Sequence, residues 1–188
     1  MTKKEARSHY LAQRNLIGDA VRSDYDLRLY NHFFQKVDLN GVHILHLYLP
    51  IPARHEPDTW AILDRLRREF GHIRLVVPKV AANGELQHIF FEGLHQLKEN
   101  AWGIPEPQTG VPADPARLDL VIVPLLAFAA NGQRVGYGKG FYDRFLAQCK
   151  RHCRKVGLSY FEAAAIEGFD DTDVALDAVV TPNGLITF

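Results

Sequence analysis

At 188 residues, with 47% hydrophobic and 23% charged side chains, the chain has the balance of a globular protein and is read as one domain spanning 1–188. Lysine plus arginine equal aspartate plus glutamate at 22 each, so no overall field steers it towards nucleic acid or an anionic membrane, and any phosphate-binding charge must be local. The opening MTKKEARSHYLAQRN lacks the apolar centre of a secretory signal and no later run is long and apolar enough to span a bilayer, which makes the cytoplasm the expected compartment.

Two helices are expected first. One covers Lys3 to about Asn15, and the other covers Ser23 to Val37, where Leu29, Tyr30, Phe33, Phe34 and Val37 recur at helical spacing. VHILHLYL from Val42 to Leu49 reads as a strand that ends at Pro50 and Pro52, because proline cannot donate to a ladder. A helix follows from Asp58, with Ile62, Leu63, Leu66 and Phe70 on one face and Gly71 as its stop. IRLVV from Ile73 is a buried strand ending at Pro78, and Leu86 to Phe91 is another, entered through the Asn83-Gly84 turn. Glu99 to Pro115 is rich in proline and glycine and has no period, the character of a long functional connection.

Asp119–Val123 is a short strand, Phe141–Cys153 a helix and Val156–Tyr160 a strand, with further strands at Ala178–Thr181 and Leu185–Phe188. Strands alternating with helices imply an α/β, Rossmann-like three-layer fold. Its mainly parallel sheet is covered by helices on both faces, and ligands are expected beyond the carboxyl ends of the strands. Cys149 and Cys153 form neither a disulfide framework nor, with His152, a complete metal set, and read as reduced thiols.

RVGYGKGFYDR, between a strand and a helix, is the most informative segment. Gly136, Gly138 and Gly140 remove every second side chain, letting backbone N–H groups approach phosphate oxygens, while Arg134 and Lys139 bring positive charge. The helix that follows adds partial positive charge at its start. Lys139 is followed by Gly140 rather than Ser or Thr, so this is not a Walker loop, and the glycine spacing is not that of a dinucleotide fingerprint.

At these residues the chain resembles the 5-formyltetrahydrofolate cyclo-ligase family, also called methenyltetrahydrofolate synthetase. The likeness extends to the basic N-terminal helix at Lys3 and Arg7, the acidic loop HEPDT with Glu56, WGIPEP from Trp102, and LDAVVTP from Leu176. Departures are Leu125 where a glycine is usual, Ala129 where an acid is common, Thr172 where histidine is frequent, and Phe141 for the commoner tyrosine.

The resemblance implies that ATP phosphorylates the formyl oxygen of 5-formyltetrahydrofolate and that N10 then attacks the activated carbon, giving 5,10-methenyltetrahydrofolate, ADP and phosphate. It implies Lys139 and Arg134 as catalytic cations. ATP contacts are expected from Lys3, Lys4, Glu5, Ala6 and Arg7, and from Arg134, Val135, Gly136, Tyr137, Gly138, Lys139, Gly140, Phe141 and Tyr142. Folate contacts are expected from Ile51, Glu56, Trp102 and the Tyr137–Phe141 loop, and Mg2+ ligation from Asp143 and Asp177. A monomer acting on a small molecule is the expected state. Plainer roles stand beside these: a solvated basic face for Lys3 and Arg7, a surface charge for Arg134, a helix-start charge for Asp143, a loop cap for Asp177 and a core anchor for Trp102. Two other functions also fit the pattern, a sugar-phosphate or acyl-transfer enzyme and a non-catalytic folate or nucleotide binder.

Overall fold

A computed structural model describes residues 1–81, 84–100 and 103–188. The N-terminal helix α1 (Lys3–Leu16) begins on a reciprocal cap: Thr2 Oγ1 accepts from the Glu5 amide and the Glu5 carboxylate accepts from the Thr2 amide. Helix α2 (Asp19–Lys36) follows after Gly18, earlier than the periodicity alone suggests. Strand β1 (Ile44–Leu47), helix α3 (Trp60–Glu69), β2 (Arg74–Val80) and β3 (Leu86–Phe90) come next. The proline-rich connection contains a short antiparallel pair, β4 (Leu97–Glu99) and β5 (Pro105–Pro107). Then come β6 (Leu120–Pro124), the small hairpin β7 (Ala127–Phe128) and β8 (Arg134–Val135), helix α4 (Phe141–Leu146), β9 (Arg154–Leu158), β10 (Ala178–Thr181) and β11 (Gly184–Thr187).

The main sheet has seven strands in the order β11-β10-β9-β6-β1-β2-β3. From β10 to β2 every pairing is parallel, and an antiparallel strand closes each edge. Alternation along the strands divides the core. Leu45, Leu47, Ile122 and Leu158 face α2 and α3, packing on Leu29, Phe33, Ile62 and Leu66. Val76, Val121, Val123 and Val179 face the other way, onto Phe145 and Leu146 of α4. Helix α1 lies on the β7–β8 hairpin, with Ala6 packed on Ala127 and Val135.

Two elements differ from the sequence reading. β2 does not stop at Pro78. Phe91 N–H donates to Leu75 C=O, so residues 75, 77 and 79 bond to β3, and the missing N–H of Pro78 falls on the side where β1 has already ended. Val80 N–H, on that same side, is met instead by the Glu106 carboxylate at 3.2 Å. Helix α4 covers only Phe141–Leu146 rather than reaching Cys153. After Leu146 the residues AQCKRHC offer little apolar surface to bury, and Gln148 and Cys149 N–H groups close i→i+3 turns instead.

Candidate functional site

A cavity of about 1060 Å³ opens beyond the carboxyl ends of β1, β2 and β6, where parallel-sheet topology leaves room for a ligand. Its apolar wall comes from Tyr48, Leu49 and Ile51 after β1, Pro78 and Val80 of β2, Leu86, Ile104 and Pro105. Facing that wall are Lys3, Arg7, Arg134, Lys139 and Arg144, together with the glycine loop 136–140. The same cavity therefore presents a cationic half and an apolar half, suited to a ligand pair of which one is anionic and the other aromatic.

The glycine loop turns as its sequence dictates. Gly138 and Gly140 have φ of 85° and 65°, the left-handed region that an L side chain seldom occupies. A Cβ on Gly138 would stand 3.1 Å from Arg7 Nε, whereas one on Gly136 would meet nothing within 4 Å. The loop is thus fastened on one side and open on the other, as backbone approach to a phosphate requires. Arg7 does the fastening, donating from Nε to Gly136 C=O at 3.1 Å. Lys139 stands exposed on the loop with its Nζ 5.8 Å from the Phe141 ring centroid. Because α4 is less than two turns long, anion attraction here rests on the loop amides and side-chain cations more than on a helix dipole.

Arg134 is buried, and its guanidinium is committed within the protein. Nη2 donates to Asp143 Oδ1 at 2.8 Å and Nη1 donates to Val174 C=O. Burial lowers its pKa, and the Asp143 charge opposes that shift. Asp143 Oδ1 also accepts from Val174 N–H at 3.2 Å, so the pair pins the segment 171–174 against the cavity. Lys3 reaches the same segment, with Nζ 2.6 Å from both Asp170 and Asp173. Burial opposes its charge, but those two carboxylates outweigh burial and hold Lys3 above the usual lysine range.

Of the N-terminal stretch read as a nucleotide contact, only Lys3 and Arg7 line the cavity. Lys4 points to solvent, Glu5 is engaged in the helix cap and Ala6 is packed in a small core, because successive helical positions project in different directions. Val135 is likewise a core residue of β8, while Phe141 and Tyr142 border the cavity.

The acidic loop after β1 is tightly built. Thr59 Oγ1 donates to Tyr48 C=O at 2.6 Å, and Tyr48 donates from its hydroxyl to Pro57 C=O at 3.2 Å. Ile51 N–H donates to Glu56 Oε2 at 2.8 Å, which ties the two positions together. Glu56 is 8% exposed, and its other oxygen accepts from the Tyr137 hydroxyl at 2.7 Å. Burial pushes the Glu56 pKa up, while the Ile51 amide, the Tyr137 hydroxyl and the charges of Arg14 and Arg54 pull it back. Trp102 lies outside the described residues.

Asp177 is not brought to this site. It directly precedes β10, whose first residue pairs with Val156 near the start of the parallel strand β9, so it sits at the amino ends of the strands and not at the carboxyl ends where the cavity opens. There it accepts from the Lys155 amide at 2.7 Å and from Lys155 Nζ at 2.9 Å. The carboxylates that do line the cationic half are Asp143, Asp171 and Asp173. Among the described residues no three His, Cys, Asp or Glu side chains form a ready-made metal cage. One or two carboxylates beside a phosphate chain suit magnesium, which keeps much of its shell as water and phosphate oxygen.

Two buried charged residues, one on the cavity wall and one behind the glycine loop, carry no site reading from the sequence. Glu106, in β5, is buried at the cavity wall and accepts from Val80; the PEP segment gave no periodic signal that would mark it. Arg14 is buried beneath the glycine loop, and its signal was available: Lys3, Arg7 and Arg14 are separated by four and seven residues and share one face of α1.

A family model described as the 5-formyltetrahydrofolate cyclo-ligase family matches residues 1–182. A protein of Escherichia coli (strain K12) named 5-formyltetrahydrofolate cyclo-ligase is 33% identical over 133 residues, which are 68% of this chain and 72% of that protein. A probable 5-formyltetrahydrofolate cyclo-ligase of Schizosaccharomyces pombe is 29% identical over 74% of this chain and 75% of its own length. Among solved structures, the Aquifex aeolicus 5,10-methenyltetrahydrofolate synthetase superposes with a TM-score of 0.82 at 28% identity, covering 100% of this chain and 93% of that one. The Mycoplasma pneumoniae 5,10-methenyltetrahydrofolate synthetase gives a TM-score of 0.71 at 25% identity over 95% and 98% of the two chains.

Proposed function

Since the chain belongs to the 5-formyltetrahydrofolate cyclo-ligase family and is an enzyme of that family, we propose that it converts 5-formyltetrahydrofolate to 5,10-methenyltetrahydrofolate at the expense of ATP. The observation that carries this reading is the single cavity shared by the cation-lined glycine loop and the Glu56 loop. An ordinary folate binder has no need of the first, and an ordinary nucleotide site has no need of the second.

The chemical obstacle is the formyl oxygen, a poor leaving group until it carries a phosphoryl group. In the proposed reaction that oxygen attacks the terminal phosphorus of ATP and ADP departs. N10 then attacks the formyl carbon, loses its proton, and phosphate leaves with the former formyl oxygen. The protein's work is positioning and charge neutralisation. Lys139 and the backbone amides of the 136–140 loop neutralise the transferred phosphoryl group, with Arg7 holding the loop in shape. Arg134 keeps Asp143 in place at the cavity. Magnesium, when bound, supplies further neutralisation of the phosphates, and Asp143 is the residue proposed to hold it. Glu56 accepts hydrogen bonds from pterin N–H groups, Ile51 and Tyr48 give the apolar bed, and Phe141 flanks the ring system. A cytoplasmic location belongs to the same proposal; among the described residues no helix is long and apolar enough to cross a membrane.

The test is direct. Purified protein is mixed with 5-formyltetrahydrofolate, ATP and Mg2+, and the near-ultraviolet absorbance of the methenyl product is followed with each component omitted in turn. Product that appears only with ATP supports the reaction. Folate binding without turnover would replace it with a passive binder.

A further inference from the structure

Arg14 is 1% exposed, and a guanidinium taken out of water is costly unless its donors and its charge are answered. The structure answers them unusually. Nη2 donates to Leu125 C=O, Nη1 donates to the Tyr137 hydroxyl at 2.9 Å, and Nε has no partner. Neither of those acceptors is a carboxylate. The nearest acidic group in the hydrogen-bond chain is Glu56, one step further, through the Tyr137 hydroxyl at 2.7 Å.

Direction in this chain is fixed by chemistry. Arginine has donors only, so the Tyr137 oxygen must accept from Arg14 and its single proton must go to Glu56 Oε1. Glu56 Oε2 is meanwhile held by the Ile51 amide. The carboxylate is thereby fixed at both oxygens, each of which retains a second lone pair for a ligand. The three residues come from three elements: the first helix, the loop after β1 and the glycine loop. Arg54 completes the surround, 5.4 Å from the centroid of the Tyr137 ring.

We propose that Arg14 is a positioning residue for the reaction: acting through the Tyr137 hydroxyl, it fixes the Glu56 carboxylate as the acceptor that captures folate, and so ties folate capture to the seating of the glycine loop. This rests on the cyclo-ligase reading of the cavity. It also explains why the chain buries a cation that touches neither cavity nor carboxylate. The groups around Glu56 are Arg14, Arg54, Tyr48, Tyr137, Tyr142 and Tyr160, so Arg14 and Arg54 are the two cations that favour its charged form.

The experiment compares wild type, Arg14→Met, Arg14→Lys, Tyr137→Phe and the double variant R14M/Y137F. Folate KM and kcat are measured from pH 5.5 to 9, folate Kd is measured without ATP, and circular dichroism checks the fold. R14M and Y137F are each expected to raise folate KM and Kd about tenfold, the size of one hydrogen bond to a charged group, with a smaller effect on kcat. The acid limb of kcat/KM should move to higher pH in both, because Glu56 loses support for its charge. R14K should restore part of the KM. The double variant should be little worse than either single one, since both break the same chain. Additive losses, or a lower melting temperature with KM, Kd and the acid limb unmoved, would reduce Arg14 to a packing residue. If R14M does not fold, Y137F decides alone, and an unmoved KM there overturns the proposal. Wild-type protein that makes no methenyl product would remove the reaction itself and this inference with it, an outcome distinct from active wild type with indifferent variants.

Discussion

Acid should weaken this protein through a pair of histidines buried against helix α4. His46 of β1 and His88 of β3 are both buried, with His88 Nδ1 3.2 Å from His46 Nε2, and the His88 ring lies 3.9 Å from that of Phe145. Burial depresses His88 from 6.5 to about 4, and burial with the His88 charge depresses His46 well below its usual value. Between pH 6.5 and 4 the unfolded chain therefore binds a proton at position 88 that the folded chain refuses, so stability is complete above 6.5 and is lost as the pH falls towards 4. From these two values the loss at His88 between pH 7.5 and pH 5 is about 2 kcal/mol, or about 1 M in urea midpoint. His88→Phe keeps a ring against Phe145 and removes the titration. Urea melts followed by tryptophan fluorescence at both pH values should show wild type losing about 2 kcal/mol more than H88F. Taking the difference within each protein cancels whatever the substitution costs at neutral pH. Equal losses in the two proteins would refute the argument that His88 stays neutral in the folded state.

Lys139→Ala should fold like wild type, since the side chain is exposed, yet lose roughly 100-fold or more in kcat by single-turnover product formation; near-normal turnover would remove Lys139 from phosphoryl transfer. Asp143→Ala strips the buried Arg134 of its carboxylate and should cost about 2–3 kcal/mol in urea melts. Its turnover should also need more Mg2+, and an unchanged metal titration would leave Asp143 only the structural role. Gly132, at φ 81°, closes the β7–β8 turn, and a Cβ there would lie 2.7 Å from Leu176 C=O and 2.8 Å from the Phe188 ring. Gly132→Ala should therefore destabilise by roughly 2–4 kcal/mol, and an unshifted thermal midpoint would contradict that packing.

The parallel sheet was legible because its strands are short apolar runs punctuated by proline and glycine, and because buried strands need no alternation to be recognised. The glycine loop was legible for a different reason: Gly138 and Gly140 occupy backbone conformations that only glycine enters easily, so the residue types record the geometry. What failed was whatever depended on partners distant in the chain. Pro78 stays inside β2 because β1 stops short beside it, a fact about another strand's length. Asp177, expected as a magnesium ligand from the family resemblance, meets Lys155 at the far end of the sheet. Leu125, where glycine is usual in the family, contributes its carbonyl to Arg14 and packs its side chain beside Gly157, where a Cβ would come within 2.5 Å of Leu125 Cδ2.

Charge was the least legible property of all. Equal numbers of acids and bases in the chain conceal how they are distributed. Lys3 is met by Asp170 and Asp173 and Arg14 by Glu56 through Tyr137, pairings that join segments far apart in sequence, while Arg134 is met by the nearby Asp143. Such internal pairing lets a chain of zero net charge line a cavity with cations at tolerable desolvation cost. It also means that helix α1 can be read two ways from sequence, as a solvated basic face or as a wall of the site, with no pattern within the helix able to choose. Lys3, Arg7 and Arg14 share one face in either case; only the acids, the tyrosine and the Gly136 carbonyl brought from residues 136 to 173 determine that this face points inward.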